Sequence, residues 1–180
     1  VKHQRVAVLD TDPQGSATAW AERRLELGKT SPAVFKAQDR NLPELIEACA
    51  ADGYDLVLID PMPRVERPSV DAARVADLVV IPCGPSIIDI EAIGATIAIT
   101  TRLQTPAVVV LNQGRPGSSI NTQAAQLLSG YGLPLCPTTI MRRASLADAF
   151  NDGRAVMELE PGGKGSQEIC ASWDWIAQKL

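Results

Sequence analysis

Histidine is almost missing from this chain: His3 is the only one. With a single imidazole, neither a Ser-His-Asp triad nor a histidine-rich zinc site is expected. Aromatic residues make up only 4%. No apolar run approaches the roughly 20 residues needed to cross a bilayer, and no secretory leader is expected at Val1–Arg5. Cysteine is sparse and scattered, as Cys49, Cys83, Cys136 and Cys170, with no C-x-x-C pair. These read as small buried hydrophobes of a reducing cytoplasm. Positive charge is not in excess, since 17 Lys and Arg face 21 Asp and Glu for a net charge of −4. Any contact with nucleic acid must therefore come from a local patch. The sequence holds no G-x-x-x-x-G-K-S/T phosphate loop. The nearest approach, Pro161-Gly162-Gly163-Lys164-Gly165-Ser166, has no apolar strand before it and places Gly165 between Lys164 and Ser166. It reads as a flexible loop.

Apolar runs bounded by turn residues are what the chain does have. Val6–Leu9, Leu56–Ile59, Asp77–Pro82, Pro106–Asn112 and Pro134–Ile140 read as buried strands, with a shorter one at Val34–Phe35. Helical spacing covers Ala17–Leu27, Leu42–Ala51, Ser69–Ala76, Ile87–Leu103, Ser118–Leu128, Leu146–Asn151 and Ser166–Leu180. Ser16 and Asn41 are expected to cap the first two, and Gly28 to stop the first. Ile87, Ile90, Ile93, Ile97 and Leu103 form a stripe that suits core packing. Ile169, Trp173, Ile176 and Leu180 form another, on a last helix with too few bases to hold a membrane. Strand and helix alternate without hairpin signals over 180 residues that are 46% hydrophobic. That order predicts one α/β domain, a mostly parallel sheet with helices on both faces.

The chemistry gathers where two strands end. Val6–Leu9 runs into Asp10-Thr11-Asp12, and Leu56–Ile59 runs into Asp60. Open α/β sheets place ligands at the carboxyl ends of their strands. If these two lie parallel and close, Asp10, Asp12 and Asp60 converge. Three carboxylates in one cleft need a cation, and Mg²⁺ is the natural guest because it takes oxygen ligands and brings phosphate.

Asp10-Thr11-Asp12-Pro13-Gln14-Gly15-Ser16-Ala17-Thr18, Tyr54 to Pro63, and Ala76-Asp77-Leu78-Val79-Val80-Ile81-Pro82 with Pro85-Ser86 resemble the ParA/Soj/MinD group of partition ATPases. The likeness runs in order over nearly the whole chain, and Asp-x-Asp-Pro-Gln-Gly points to the ParA branch. The resemblance implies a P-loop-NTPase-like fold of the deviant Walker A class. The first strand and phosphate loop of that fold are absent here, so the single ATPase domain of residues 1–180 is expected to be N-terminally incomplete. In the family the missing strand lies beside the Asp60 strand, so two ladder edges are expected to stand open.

The resemblance also implies roles. Asp12 would position or activate the attacking water. Asp10 and Asp60 would hold Mg²⁺ through water, and Asn112 and Pro137 would meet the nucleotide, Asn112 at the adenine edge. Arg142 and Arg143 are candidates for DNA phosphates or a partner. Implied with them are ATP and Mg²⁺ as cofactors, a homodimer, non-specific DNA binding, a partner protein that stimulates slow hydrolysis, and a cytoplasmic, nucleoid-associated setting without membrane. Pro61-Met62-Pro63 departs from the family's Thr-Pro-Pro, and Arg64 and Arg67 follow it on a loop. Without the phosphate-loop lysine, the chain is expected to bind ATP poorly. Two alternatives stand beside this reading. One is a relative that dimerises and binds DNA without nucleotide. The other is a phosphoacceptor receiver domain, which also gathers acids at strand ends.

Overall fold

In the computed structural model, which describes residues 4–38, 41–62 and 67–180, the run before the acids forms β1 (Val6–Asp10). The next elements are α1 (Ser16–Glu26), β2 (Ala33–Lys36), α2 (Leu42–Ala51), β3 (Leu56–Asp60) and α3 (Arg67–Val75). β1 lies between β2 and β3, parallel to both. Ala7 and Leu9 are buried and pack with Val57 and Ile59 of β3 against Leu42, Leu45, Ile46 and Cys49 of α2 and Ala72 of α3. Successive strand residues point to opposite faces. Asp10 therefore lies on the other face, where its carboxylate meets Thr18 of α1. Helices thus cover both faces, as the pattern predicts.

These elements, with the distant segment Phe150–Arg154, form one compact unit; Ala76–Ala149 and Ala155–Leu180 form a second. Three side chains of α1 grip the distant segment by its main-chain carbonyls. Trp20 Nε1 donates to Arg154 O (3.2 Å), Arg23 Nη2 to Phe150 O (3.3 Å) and Arg24 Nη1 to Gly153 O (3.1 Å). Arg24 is buried and lies over the Trp20 ring, 4.7 Å from its centroid. Gly153 has φ +68°, and a Cβ there would lie 2.7 Å from the Arg23 backbone, so only glycine allows this approach.

The second unit holds β4 (Val79–Cys83), α4 (Ile87–Leu103), β5 (Ala107–Leu111) and α5 (Ile120–Ser129). After them come α6 (Ala144–Asn151), whose last two residues are counted with the first unit, then α7 (Val156–Leu159) and α8 (Lys164–Ile176). β4 and β5 pair in parallel, and every residue of β5 is buried. Full burial of a Val or Leu contributes about 1.5–3 kcal/mol, so β5 anchors this unit. Ile81, Cys83, Val109 and Leu111 pack on Ile90 and Ile93 of α4 and Ala124 and Leu128 of α5. The isoleucine stripe is therefore core, except that Ile87 is 57% exposed at the helix start. Burial, with Asp89 second, pushes the Cys83 thiol up to about 11 and keeps it neutral. Cys49 and Cys136 are buried as expected, whereas Cys170 on α8 is exposed.

Several boundaries differ from the sequence reading. Pro134–Ile140 is not a regular strand. It touches β5 at the Val109–Leu135 bridge, and Met141 bridges Gly114. Pro134 and Pro137 have no N–H to give a ladder, which accounts for the interruption. Arg67 opens α3 rather than lying on a loop, while Pro63 and Arg64 lie outside the described residues. Residues 161–166 are not one flexible loop, because Lys164 already begins α8. Leu180 lies beyond α8 and is 61% exposed. Among the described strands, β3 and β4 are each an open edge of their sheet, with Leu58 at 44% and Val80 at 40% exposure. Among the described residues, no helix is long and apolar enough to cross a membrane.

Candidate functional site

β1 and β3 end together. Asp10 and Asp60 are register partners across the parallel ladder, and the Thr11 N–H donates to Asp60 O (3.0 Å), which keeps the two strand ends in step. Asp12 follows one residue past Thr11, on the loop into α1. Its Oδ1 accepts the Gln14 N–H at 2.8 Å, forming the local turn that starts the helix. Gly15, at φ +65°, completes that turn. Asp60 shows the electrical consequence of this gathering. Its carboxyl is pushed above its usual range, first by loss of surrounding water, then by the charges of Asp10 and Asp12. Asp10 and Asp12 are thus near enough to act on Asp60, although the three do not form a closed group of metal ligands among the described residues.

Asp10 carries a second role that the sequence reading missed. It is fully buried, and its Oδ2 accepts both the Thr18 N–H (2.8 Å) and the Thr18 hydroxyl (2.7 Å), while Oδ1 accepts the Asp12 N–H (3.3 Å). Thr18 occupies the third position of α1, whose first N–H groups have no partner within the helix. Ser16 is not the cap, because it already lies inside the helix and Gly15 stands at the capping position without a side chain. Asp10 supplies the cap from the neighbouring strand. The signal was the eight-residue spacing of Asp10 and Thr18 around a Pro-Gln-Gly turn.

These residues fit Mg²⁺ in one manner only. Asp10 has spent most of its lone pairs on N–H and O–H donors, and no three acidic, histidine or cysteine side chains among the described residues form a ready cage. Mg²⁺ commonly keeps several waters and takes one or two carboxylates plus phosphate. Asp60, with its like-charge strain, fits such a water-mediated ion; Asp10 fits as its outer partner.

The second unit holds the other predicted residues. Asn112 follows β5, where its N–H donates to Cys83 O (2.8 Å) and its Oδ1 accepts the Gln113 N–H (2.8 Å). Among the described residues the amide nitrogen of its side chain has no hydrogen-bond partner. Asn121 of α5 fastens the loop by two bonds to the Arg115 backbone, of 2.9 and 2.7 Å. Gly114 is required here, since a Cβ would lie 2.6 Å from Thr139 Cγ2 and 2.8 Å from Met141 Sδ. Pro137 is exposed on the stretch that leaves β5 after Cys136 and rejoins it at Ile140.

Arg142 and Arg143 line an open crevice of about 650 Å³ with Ala144, Ser145, Glu160, Gly162, Gly163 and Lys164. The two arginines are not equivalent. Arg143 is forked onto Glu168 of α8 through Nη2 and through Nε (3.0 Å), and Glu168 also accepts the Met141 N–H (3.1 Å). This hydrogen-bonded partner, more than any other group, holds the Glu168 carboxyl below its usual range. Arg142 is exposed, and among the described residues only its backbone N–H is engaged, to Gly114 O at 2.8 Å. Lys164 joins it from the start of α8. Sequence reading missed Lys164 because the glycines around it look like loop; Ser166 is what ends the loop, donating to Glu160 O (2.6 Å) and Val156 O (3.2 Å).

No protein-family model matches the chain. It is 29% identical over 181 residues to the maintenance of carboxysome distribution protein A of Gloeobacter kilaueensis, covering 98% of this chain and 81% of that one. It is 26% identical over 198 residues to the chromosome-partitioning ATPase Soj of Thermus thermophilus, covering 91% and 79%. In fold it is similar to the septum site-determining protein MinD complexed with Mg-ADP from Pyrococcus horikoshii, with a TM-score of 0.70 and 15% identity over 96% of this chain and 83% of that one. The P-loop-NTPase-like fold is shared, and the receiver-domain alternative falls with it. Strand order, the acids at the ends of β1 and β3, and relatives matched over nearly the full chain agree: this chain is similar in sequence and fold to the ParA/MinD-type partition ATPases.

Proposed function

We propose that residues 1–180 act as one ATPase domain of ParA type, in which Mg-ATP governs dimerisation and non-specific DNA binding for the partition of a cargo. The observation that carries this reading is the pairing of Asp10 with Asp60 at the ends of adjacent parallel strands, with Asp12 on the loop between β1 and α1. Asp12 orients the attacking water and takes its proton. Asp10 and Asp60 hold Mg²⁺ through water, and Asp10 at the same time fixes the start of α1. Mg²⁺, when bound, offsets charge on the phosphates. The Asn112 amide offers a donor to the adenine edge, and the exposed Pro137 ring offers a flat apolar surface to the base. Arg142 and Lys164 contact DNA phosphates, with Arg143 bracing the crevice through Glu168. Phosphate contacts of this kind position without reading sequence. A partner protein that stimulates hydrolysis completes the cycle.

A second reading keeps the dimer and the DNA contact without nucleotide. It is favoured by the engagement of Asp10 with Thr18 and Asp12, which leaves little of that carboxylate for a ligand. Calorimetry with Mg-ATP separates the two. It is run on this chain and on a form carrying a strand, a G-x-x-x-x-G-K-S/T loop and a helix in front of Val1. Under the ATPase reading the extended form binds, and Asp12→Ala keeps binding while hydrolysis is lost. Absence of binding by both forms rejects the ATPase reading and leaves the second.

A further inference from the structure

We propose that Ser145 is a phosphorylation site, and that its phosphate turns the crevice of the second unit from attracting nucleic acid to repelling it. This rests on the reading of Arg142 and Lys164 as DNA-phosphate contacts. Three observations carry it. The first is spacing: Arg142-Arg143-Ala144-Ser145-Leu146 puts arginines three and two residues before a serine and an apolar residue after it. Serine kinases with acidic substrate grooves select this pattern. The second is access. Ser145 lines the open crevice, and its hydroxyl has no hydrogen-bond partner among the described residues. The third is charge. Of the side chains lining the crevice, Arg142, Arg143 and Lys164 are positive and Glu160 is negative, and Arg143 is already matched by Glu168. The lining is left with a small positive excess, about one unit. A phosphoserine adds about −1.5 to −2 charge at neutral pH, enough to reverse that sign. The added oxygens have Arg142 and Lys164 beside them in the same crevice, so the groups proposed to meet DNA are the ones the modification occupies.

The step balances simply. The Ser145 Oγ attacks the γ-phosphorus of a nucleoside triphosphate held by the kinase. An Oγ–P bond forms, the bond from the γ-phosphorus to the bridging oxygen breaks, the nucleoside diphosphate leaves, and the hydroxyl proton passes to a carboxylate base of the kinase.

The test uses the full chain, treated with a basophilic serine kinase and ATP, with the site located by mass spectrometry. Binding to a duplex of random sequence is followed by fluorescence anisotropy at several salt concentrations. Expected are modification at Ser145, at least tenfold weaker binding of the modified chain, and a shallower salt dependence, since each lost phosphate contact lowers the slope by about 0.9. Ser145→Ala should show no change on kinase treatment. No modification at Ser145, or modification with unchanged affinity, overturns the proposal while the DNA reading stands. If the untreated chain fails to bind duplex and Arg142→Ala changes nothing, the DNA reading itself is lost and the switch with it.

Discussion

The two units treat charge in opposite ways. At the ends of β1 and β3 the first unit brings acids together, and Asp60 is left strained, its carboxyl raised by loss of water and by its acidic neighbours. Around α6 and α8 the second unit brings opposite charges together, and Arg143 and Glu168 satisfy each other. A fold gains nothing from like charges at one strand edge unless a cation or proton enters. The first arrangement therefore leaves charge uncompensated, and the second is mostly architecture with the exposed Arg142 beside it. Perturbed groups are candidates for function, but structural ion pairs such as Arg143–Glu168 perturb their members as well.

Four substitutions probe that contrast, from the largest effect to the smallest. Asp10→Ala should cost the first unit about 2 kcal/mol, because three donors on Thr18 and Asp12 lose a charged acceptor. Trp20 is the only tryptophan of that unit, so denaturant unfolding followed with Trp173 and Trp175 replaced by Phe reads it directly. A neutral or stabilising result would mean that Asp10, like Asp60, is a strained acid rather than a stabilising cap. Arg143→Met should come next, and it has a pH signature. Glu168 lies below its usual range, so the stability it contributes is present above the unfolded-state value of 4.5 and is lost as pH falls through the lower folded value. The variant should lose stability at neutral pH and show a flatter acid limb in thermal melts. Thr18→Val keeps the N–H bond to Asp10 and removes the hydroxyl bond, for about 1 kcal/mol; double-mutant analysis with Asp10→Ala should show strong coupling.

The smallest change should run in the other direction. The folded value of Asp60 lies above its ordinary 3.8, so its ionised form weakens the fold once pH rises past the unfolded value. Asp60→Asn should stabilise the first unit at neutral pH, by less than about 1 kcal/mol after solvent screening. The gain should vanish below about pH 4, where the carboxyl is protonated in the unfolded chain as well. Added Mg²⁺ should narrow the difference between the parent protein and the Asp60→Asn variant if the acid is used as proposed.

Much of the first unit's site was legible because it is written in short range. A buried strand that ends in an acid places that acid at a sheet edge whatever the rest of the chain does, and two such strands in parallel bring Asp10 and Asp60 opposite each other. The cap on α1 was less visible, since a capping residue is sought next to the helix and Asp10 reaches it from a strand. The crevice of the second unit was only half legible. Arg142 and Arg143 stand out as adjacent bases, but Lys164 sits between glycines, and Glu168 looks like an ordinary surface acid until α8 turns it toward Arg143. The Pro134–Ile140 stretch shows the limit of composition, since its apolar content suits a strand while its prolines withhold the N–H groups a ladder needs.

The grip of α1 on residues 150–154 has a consequence for how this chain tolerates change. Trp20, Arg23 and Arg24 hold carbonyl oxygens, which every residue supplies alike. Asn151, Asp152 and Arg154 are then free to drift in identity without loosening the hold, whereas Gly153 is fixed by the space its missing side chain leaves and Phe150 by its ring, which stacks on Trp20 and lies under Arg23. A plain stretch of five residues can thus do a lasting mechanical job with only a ring at its start and a bare backbone near its end held constant.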